Sequence, residues 1–257
     1  MKTDKDPLKQ DIERIIKHIC ENHDKKVNID ELAQLINMSK FYFIRVFKTY
    51  VGVTPIQFLH LITINYARAS LRNSKNLLDT SFSMGLSSSS KLHNMFVNVY
   101  GVTPLEFKTY ANNIQISYVL QDSTLGKALL AHTSRGICYF RFINKDAQID
   151  EFKEFWKNAN LSYDESLKTK FKHMFDPNDY KILKSVNEQM NLYIALIYLA
   201  TNLDEKDRLY DKKIKFLQSA VPCYKCIIQT NIFSDYRWGI IPKKHRVVYE
   251  PIKFSKD

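Results

Sequence analysis

"FKTYVGVTPIQFL" at residues 47–59 and "FVNVYGVTPLEFK" at residues 96–108 carry Phe, Gly, Val, Thr, Pro and Phe at the same offsets, 49 residues apart. Two copies are too few for a solenoid, which needs about three units or more to bury a continuous core. They read as two equivalent subdomains. In each, a helix ends at a glycine, which readily takes the left-handed conformation of a helix C-terminus. A Thr-Pro pair then opens the next helix.

Working outward from the first copy, Leu32, Ala33, Leu35 and Ile36 recur at helical spacing, with Asn28 or Asp30 as the cap. Asn37, Met38 and Ser39 break that helix, and a second is predicted from about Ser39 to Tyr50. Its Phe43, Val46 and Phe47 are spaced to face inward, which leaves Lys40, Arg45 and Lys48 mostly on the other side. Helix, tight turn and helix with a basic outer face is the plan of a helix-turn-helix unit. "NLLDTSFSMGLSSSSKLHNMF" at 76–96 repeats it, with the turn at Met84, Gly85 and Leu86. A continuous helix through "PIQFLHLITINYARASLRNS" joins the two units.

Charge agrees with that plan. The 257 residues carry a net charge of +11, which asks for a polyanionic partner. Residues 32–112 hold 8 Lys+Arg against 2 Asp+Glu, the stretch poorest in acid. Hydrophobic residues at 45% are enough for real cores. No run approaches the roughly 18 apolar residues of a membrane span, and the polar, mixed-charge start is not a secretory signal. Four cysteines, only two of them close together, suggest a reducing compartment. A cytoplasmic protein with no membrane partner is expected.

Residues 8–110 resemble the AraC/XylS-type DNA-binding domain, whose most specific mark is the doubled "GVTP". The resemblance implies that both second helices enter successive major-groove segments of double-stranded DNA, about one helical turn apart. RNA polymerase is the candidate second partner of such a regulator. By position, Lys40, Phe41, Ile44, Arg45 and Lys48 would contact DNA in the first unit, and Ser88, Ser89, Ser90, Lys91 and Asn94 in the second. Arg45 is suited to bidentate contact with guanine. Asn94 stands where many relatives carry arginine, amid serines that accept either base class, so this half would read shape and phosphate more than sequence. The bland alternatives are serines acting as helix caps, Lys91 as a solvated charge and Phe41 as packing.

After residue 113 the texture changes. "IQISYVLQDS", "GKALLAHTS" and "GICYFRFIN" predict a three-stranded antiparallel meander with turns at Asp122-Ser123 and Ser134-Arg135-Gly136. An amphipathic helix follows through "AQIDEFKEFWKNA", with Ile149, Phe152, Phe155 and Trp156 on one face, and another through "NEQMNLYIALIYLATN". The fold expected is multidomain: an all-α double helix-turn-helix domain over 8–110, then an α+β region.

"STLGKALLAHTSRGICYFRF" and "PCYKCIIQTNIFSDYRWG" are similar to the methylated-DNA–protein-cysteine methyltransferases, above all to the form fused behind an AraC-type domain in alkylation-response regulators. That resemblance divides the remainder into a small sheet-and-helix subdomain over 114–176 and a shortened catalytic-like region over 177–257. It implies Cys223 as alkyl acceptor and Glu250 as its orienting carboxylate. A thiol of ordinary pKa near 8.5 needs a base to ionise, and the family's histidine after the cysteine is Tyr224 here. Tyrosine, with a pKa near 10, cannot be that base at neutral pH. The family's next arginine is Lys225, and its asparagine eight residues before the cysteine is Lys215. The segment from about 202 to 221 is too short for the family's own helix-turn-helix. The relatives' N-terminal zinc-binding cysteine domain is not expected here either.

Cys223 is therefore read three ways. It is an inert thiol, an acceptor of a methyl group from O(6)-methylguanine with Lys225 or Lys215 lowering its pKa by charge, or a zinc ligand with Cys226. One CxxC is half a tetrahedral site, and no partner spacing completes it, so no metal and no cofactor are expected. Cys138, in the apolar "GICYF", reads as a buried strand thiol. The functional reading is a sequence-specific DNA-binding transcriptional regulator with a divergent methyltransferase-like module; the alternative is a suicidal DNA-repair alkyltransferase.

Overall fold

The carboxylate of Asp6 accepts the N–H of Leu8, and Pro7 takes the first helical position, so α1 (Pro7–Glu21) starts at a fixed point. The computed structural model describes residues 6–22, 25, 27–73, 77–175 and 185–230. Ile12, Ile15, Ile16 and Ile19 bury one stripe of α1. Asn28 caps α2 (Ile29–Gln34) and Ser39 caps α3 (Lys40–Val51), whose Phe43, Val46, Phe47 and Val51 face the core. The repeat then shows its physical content. Gly52, at φ 89°, closes α3, and Thr54 with Gln57 opens α4 (Pro55–Asn73) through reciprocal bonds of 2.9 and 3.3 Å. In the second copy Gly101, at φ 57°, closes α6 (Ser89–Tyr100). There Thr103 with Glu106 opens α7 (Pro104–Lys108) by the same two bonds, at 2.7 and 3.2 Å. Between α4 and α6 lies α5 (Leu77–Ser83), with the turn residue Gly85 at φ 66°.

The second half corrects the expected meander in two places. Strands β1 (Gln115–Ser123), β2 (Gly126–Thr133) and β3 (Gly136–Ile143) are antiparallel neighbours. A fourth, β4 (Asn160–Tyr163), pairs parallel with β1, giving the order β3-β2-β1-β4. It lies just beyond the stretch read as a helix through Ala159, and α8 (Ala147–Phe155) itself stops earlier than that reading. The first hairpin turns at Thr124 and Leu125 and not at Asp122-Ser123, since Ser123 pairs with Gly126 and its hydroxyl accepts the N–H of Leu125.

From Ile137 to Ile143 every residue of β3 is buried, because elements cover both faces. Tyr139 meets Phe152 and Phe155 of α8 on one side. Phe140 meets Phe175, in α10 (Lys172–Phe175), which follows the short α9 (Ser166–Lys170), on the other. Arg141 is buried on the α8 side, where its guanidinium lies 2.8 Å from Glu151 and 3.5 Å from the centre of the Tyr198 ring. Cys138 is fully buried, and burial pushes its thiol well up.

Ser185 and Glu188 form a capping box that opens α11 (Val186–Thr201), which is buried on all sides from Met190 to Leu199. The short stretch after it holds one helix, α12 (Tyr210–Ala220), before α13 (Tyr224–Gln229). One apolar core runs from α1 through the sheet to α13. Among the described residues no helix is long and apolar enough to cross a membrane. The boundary expected near residue 176, and everything after 230, lie outside the described residues.

Candidate nucleic-acid interface

Burying Phe43, Val46 and Phe47 turns the opposite face of α3 outward. Lys40, Phe41, Arg45 and Lys48 are exposed on it, and Ile44 is half-buried. Phe41 is 84% exposed, so it packs against nothing in the core. The Arg45 guanidinium lies 5.3 Å from the centre of the Tyr42 ring. An arginine resting on an aromatic ring is restricted in the directions its fork can take. Lys40 is engaged instead, its ammonium 2.9 Å from Asp30 of α2.

The same construction recurs in α6. Leu92, Met95, Phe96, Val99 and Tyr100 are buried, so Ser90, Lys91 and Asn94 face outward, with Ser88 and Ser89 half-buried. Ser88 stands at the N-cap position yet makes no capping bond with its side chain. The reading of that residue as a cap is therefore not its role in this fold.

A groove of about 500 Å³ runs between the two units. Ile56, Leu59 and Met95 lie in its floor, and Lys25, Thr63, Lys91, Asn94 and Asn98 line it with polar groups. Among the described residues no carboxylate lines it. His60 also lines the groove, and burial holds its pKa below the ordinary value. Lys25, Thr63 and Asn98 were missed by sequence reasoning. Nothing in a pattern of helical faces places a loop lysine and a residue of the joining helix beside α6. Of the two acids in the basic stretch, Glu106 points elsewhere. Burial alone would raise its pKa, but the Arg135 guanidinium at 2.7 and 2.9 Å and the Thr103 donors outweigh that and lower it.

Cys223 sits apart from this face. It stands immediately before α13 and is fully buried, and its N–H donates to the carbonyl of Tyr50 at the end of α3 (3.0 Å). Burial pushes the thiol up to about 12; the Glu13 charge adds to the rise and Lys9 works against it. The expectation that Lys215 or Lys225 lowers this pKa is corrected. Both are exposed, the charges that act on the sulfur are those of Glu13, Lys9, Cys226 and Asp6, and the net shift is upward. Glu250 and "YRWG" lie outside the described residues. Among the described residues no three His, Cys, Asp or Glu side chains converge as a metal site would need.

Residues 32–110 match the model of a helix-turn-helix domain. The bifunctional transcriptional activator/DNA repair enzyme Ada of Escherichia coli is 23% identical over 89% of this chain and 72% of its own length. The regulatory protein ada of Salmonella typhimurium is 29% identical over 44% of this chain, and the melibiose operon regulatory protein of Escherichia coli 26% over 38%. The chain spans 32% of each of these last two.

Proposed function

We propose, for what is a DNA-binding transcriptional regulator of the AraC type, that α3 and α6 enter two successive major-groove segments of one duplex, and that the methyltransferase-like module behind them transfers no alkyl group. The observation that carries the first part is the equivalence of the two helices. Each buries one face in the core and leaves the other bare, and a groove lined by α4 and α6, with no carboxylate among its described residues, lies beside α6. In this reading Arg45 reads a guanine, and Phe41, exposed, meets a thymine methyl. Lys48 and Lys91 neutralise phosphate, and Lys25 and Thr63 hold the backbone that crosses the groove. Ser89, Ser90 and Asn94 make the softer contacts of the second half.

Duplexes selected from a random pool are expected to carry two conserved segments about one helical turn apart. Against such a duplex Arg45→Ala is expected to cost about 1–3 kcal/mol and to erase discrimination at one base pair, read by titrating single-base variants. Unchanged affinity and unchanged discrimination would remove α3 from the interface.

The second part rests on Cys223. A nucleophile must be a thiolate and must be reached, and this thiol is neither. Incubated with a duplex containing O(6)-methylguanine, the intact protein is expected to keep its mass. A gain of one methyl, absent from Cys223→Ser, would restore the repair enzyme.

A further inference from the structure

Both DNA-facing helices end against the second half of the molecule, and they end against the same helix. At the end of α6, the amide nitrogen of Asn187 donates to the carbonyl of Asn98 at 3.0 Å, and that of Asn191 to Val99 at 2.8 Å. The hydroxyl of Thr133 donates to Gly101 at 2.6 Å. At the end of α3, Gly52 lies so close to the end of α12 that a Cβ there would meet the Ala220 carbonyl at 3.0 Å and the Tyr193 ring at 3.7 Å. Gln189 accepts from Gln57, in the first turn of α4, at 3.3 Å. Asn187, Gln189, Asn191 and Tyr193 all belong to α11. They span seven residues, roughly 9 Å of a stiff helix from the first to the last.

We infer that α11 is a positioning element for DNA reading. It fixes the separation and angle of α3 and α6 from behind, so the second half of the chain sets which half-site spacing the protein accepts. The inference rests on the reading of α3 and α6 as the two base-reading helices. The physical ground is that the two units are joined in sequence by one helix, α4, whereas α11 touches both units: its asparagines hold the main chain of α6 at its C-terminal end, its Tyr193 ring stands beside Gly52 at the end of α3, and its Gln189 is bonded to Gln57 of α4. Asn191 is fully buried, and a polar side chain costs free energy in such a place unless it makes its bonds. Its side-chain nitrogen makes them to α6 and to the carbonyls of Ile137 and Asn187, while its oxygen has no partner among the described residues. A residue holding main-chain carbonyls specifies where a helix stops, which a greasy contact does not.

The test uses the full chain and the duplex that it selects, remade with the two segments one base pair closer and one base pair farther apart. The wild-type protein is expected to prefer one spacing sharply, and the Asn187→Ala/Asn191→Ala double variant to lose about tenfold of that preference. Binding to a duplex with the α3 segment alone should be unchanged. A structural role alone would weaken all three spacings equally and leave their ratio intact, and that result overturns the inference. So does a wild-type protein indifferent to spacing. Should the double variant fail to fold, Asn187→Ala and Arg135→Ala, at half-buried and exposed sites between the halves, carry the same measurement. If the wild-type protein selects no duplex at all, the DNA reading itself has failed, an outcome distinct from a selected duplex with an intact ratio.

Discussion

Replacing Phe107 with alanine is expected to lower the free energy of unfolding by about 3–5 kcal/mol, a large part of the 5–15 kcal/mol that holds a typical protein folded. Phe107 is fully buried in α7, immediately behind the second Thr-Pro helix start. Four rings surround it. Phe96 and Tyr100 of α6 lie at 5.2 and 5.3 Å between centroids, and Phe155 and Trp156, from α8 and its end, at 5.7 and 6.0 Å. Rings fixed by several neighbours cannot all collapse into the space that a missing one leaves, so the cavity cost adds to the lost transfer energy. Urea melts followed by circular dichroism would measure it. A loss under 1 kcal/mol would mean that the two halves do not share this cluster. Phe41→Ala makes the control, because an exposed phenyl on α3 should change stability by no more than about 0.5 kcal/mol.

The second large effect belongs to a backbone position. Gly101→Ala is expected to cost about 2–5 kcal/mol. Roughly 1–2 of it comes from the left-handed conformation of a residue at φ 57°, and the rest from overpacking. A Cβ there would stand 2.8 Å from the Gly136 carbonyl and 2.8 Å from the Thr133 hydroxyl. The first is main chain and cannot swing away. Gly126→Ala separates the two causes. Its φ is 117°, but the nearest atom to a new Cβ is the flexible tip of Lys213 at 4.0 Å, so it should suffer only the backbone strain. Equal losses for the two variants, read from the same melts, would show that α6 does not press on the β2–β3 hairpin.

Both glycines of the repeat were visible in the sequence, and so was the Thr-Pro start behind each. Identical offsets reflect identical local chemistry: a left-handed stop, then a side-chain cap. The caps were legible because they depend on residues three apart. The fourth strand was not. "NLSY" is too short to show a period, and its pairing with β1 joins residues 45 apart, such as Gln115 and Asn160. The exposed faces of α3 and α6 followed from their buried ones, so ten candidate contacts fell on two elements, with Phe41 cleared of packing only by its exposure. The groove residues Lys25 and Thr63 came from the way two units lean together, which no single element encodes. For Cys223 the family resemblance located the residue, while its chemistry was decided by α1 and the end of α3, more than 170 residues away in the chain.

One consequence of the α11 asparagines lies outside DNA reading. β3 is an edge of the sheet, and an uncovered edge offers unpaired main-chain groups on which a strand from another molecule can grow. At Ile137 those groups are already taken, its N–H by Asn187 at 2.8 Å and its carbonyl by Asn187 and Asn191 at 3.0 and 3.3 Å. Among the described residues no further strand lies beside β3, and side-chain amides there take its place. With only the four-residue β4 at the other margin, the sheet has little left to template with. An edge held at Ile137 in this way is a poorer template there for a strand from a second molecule.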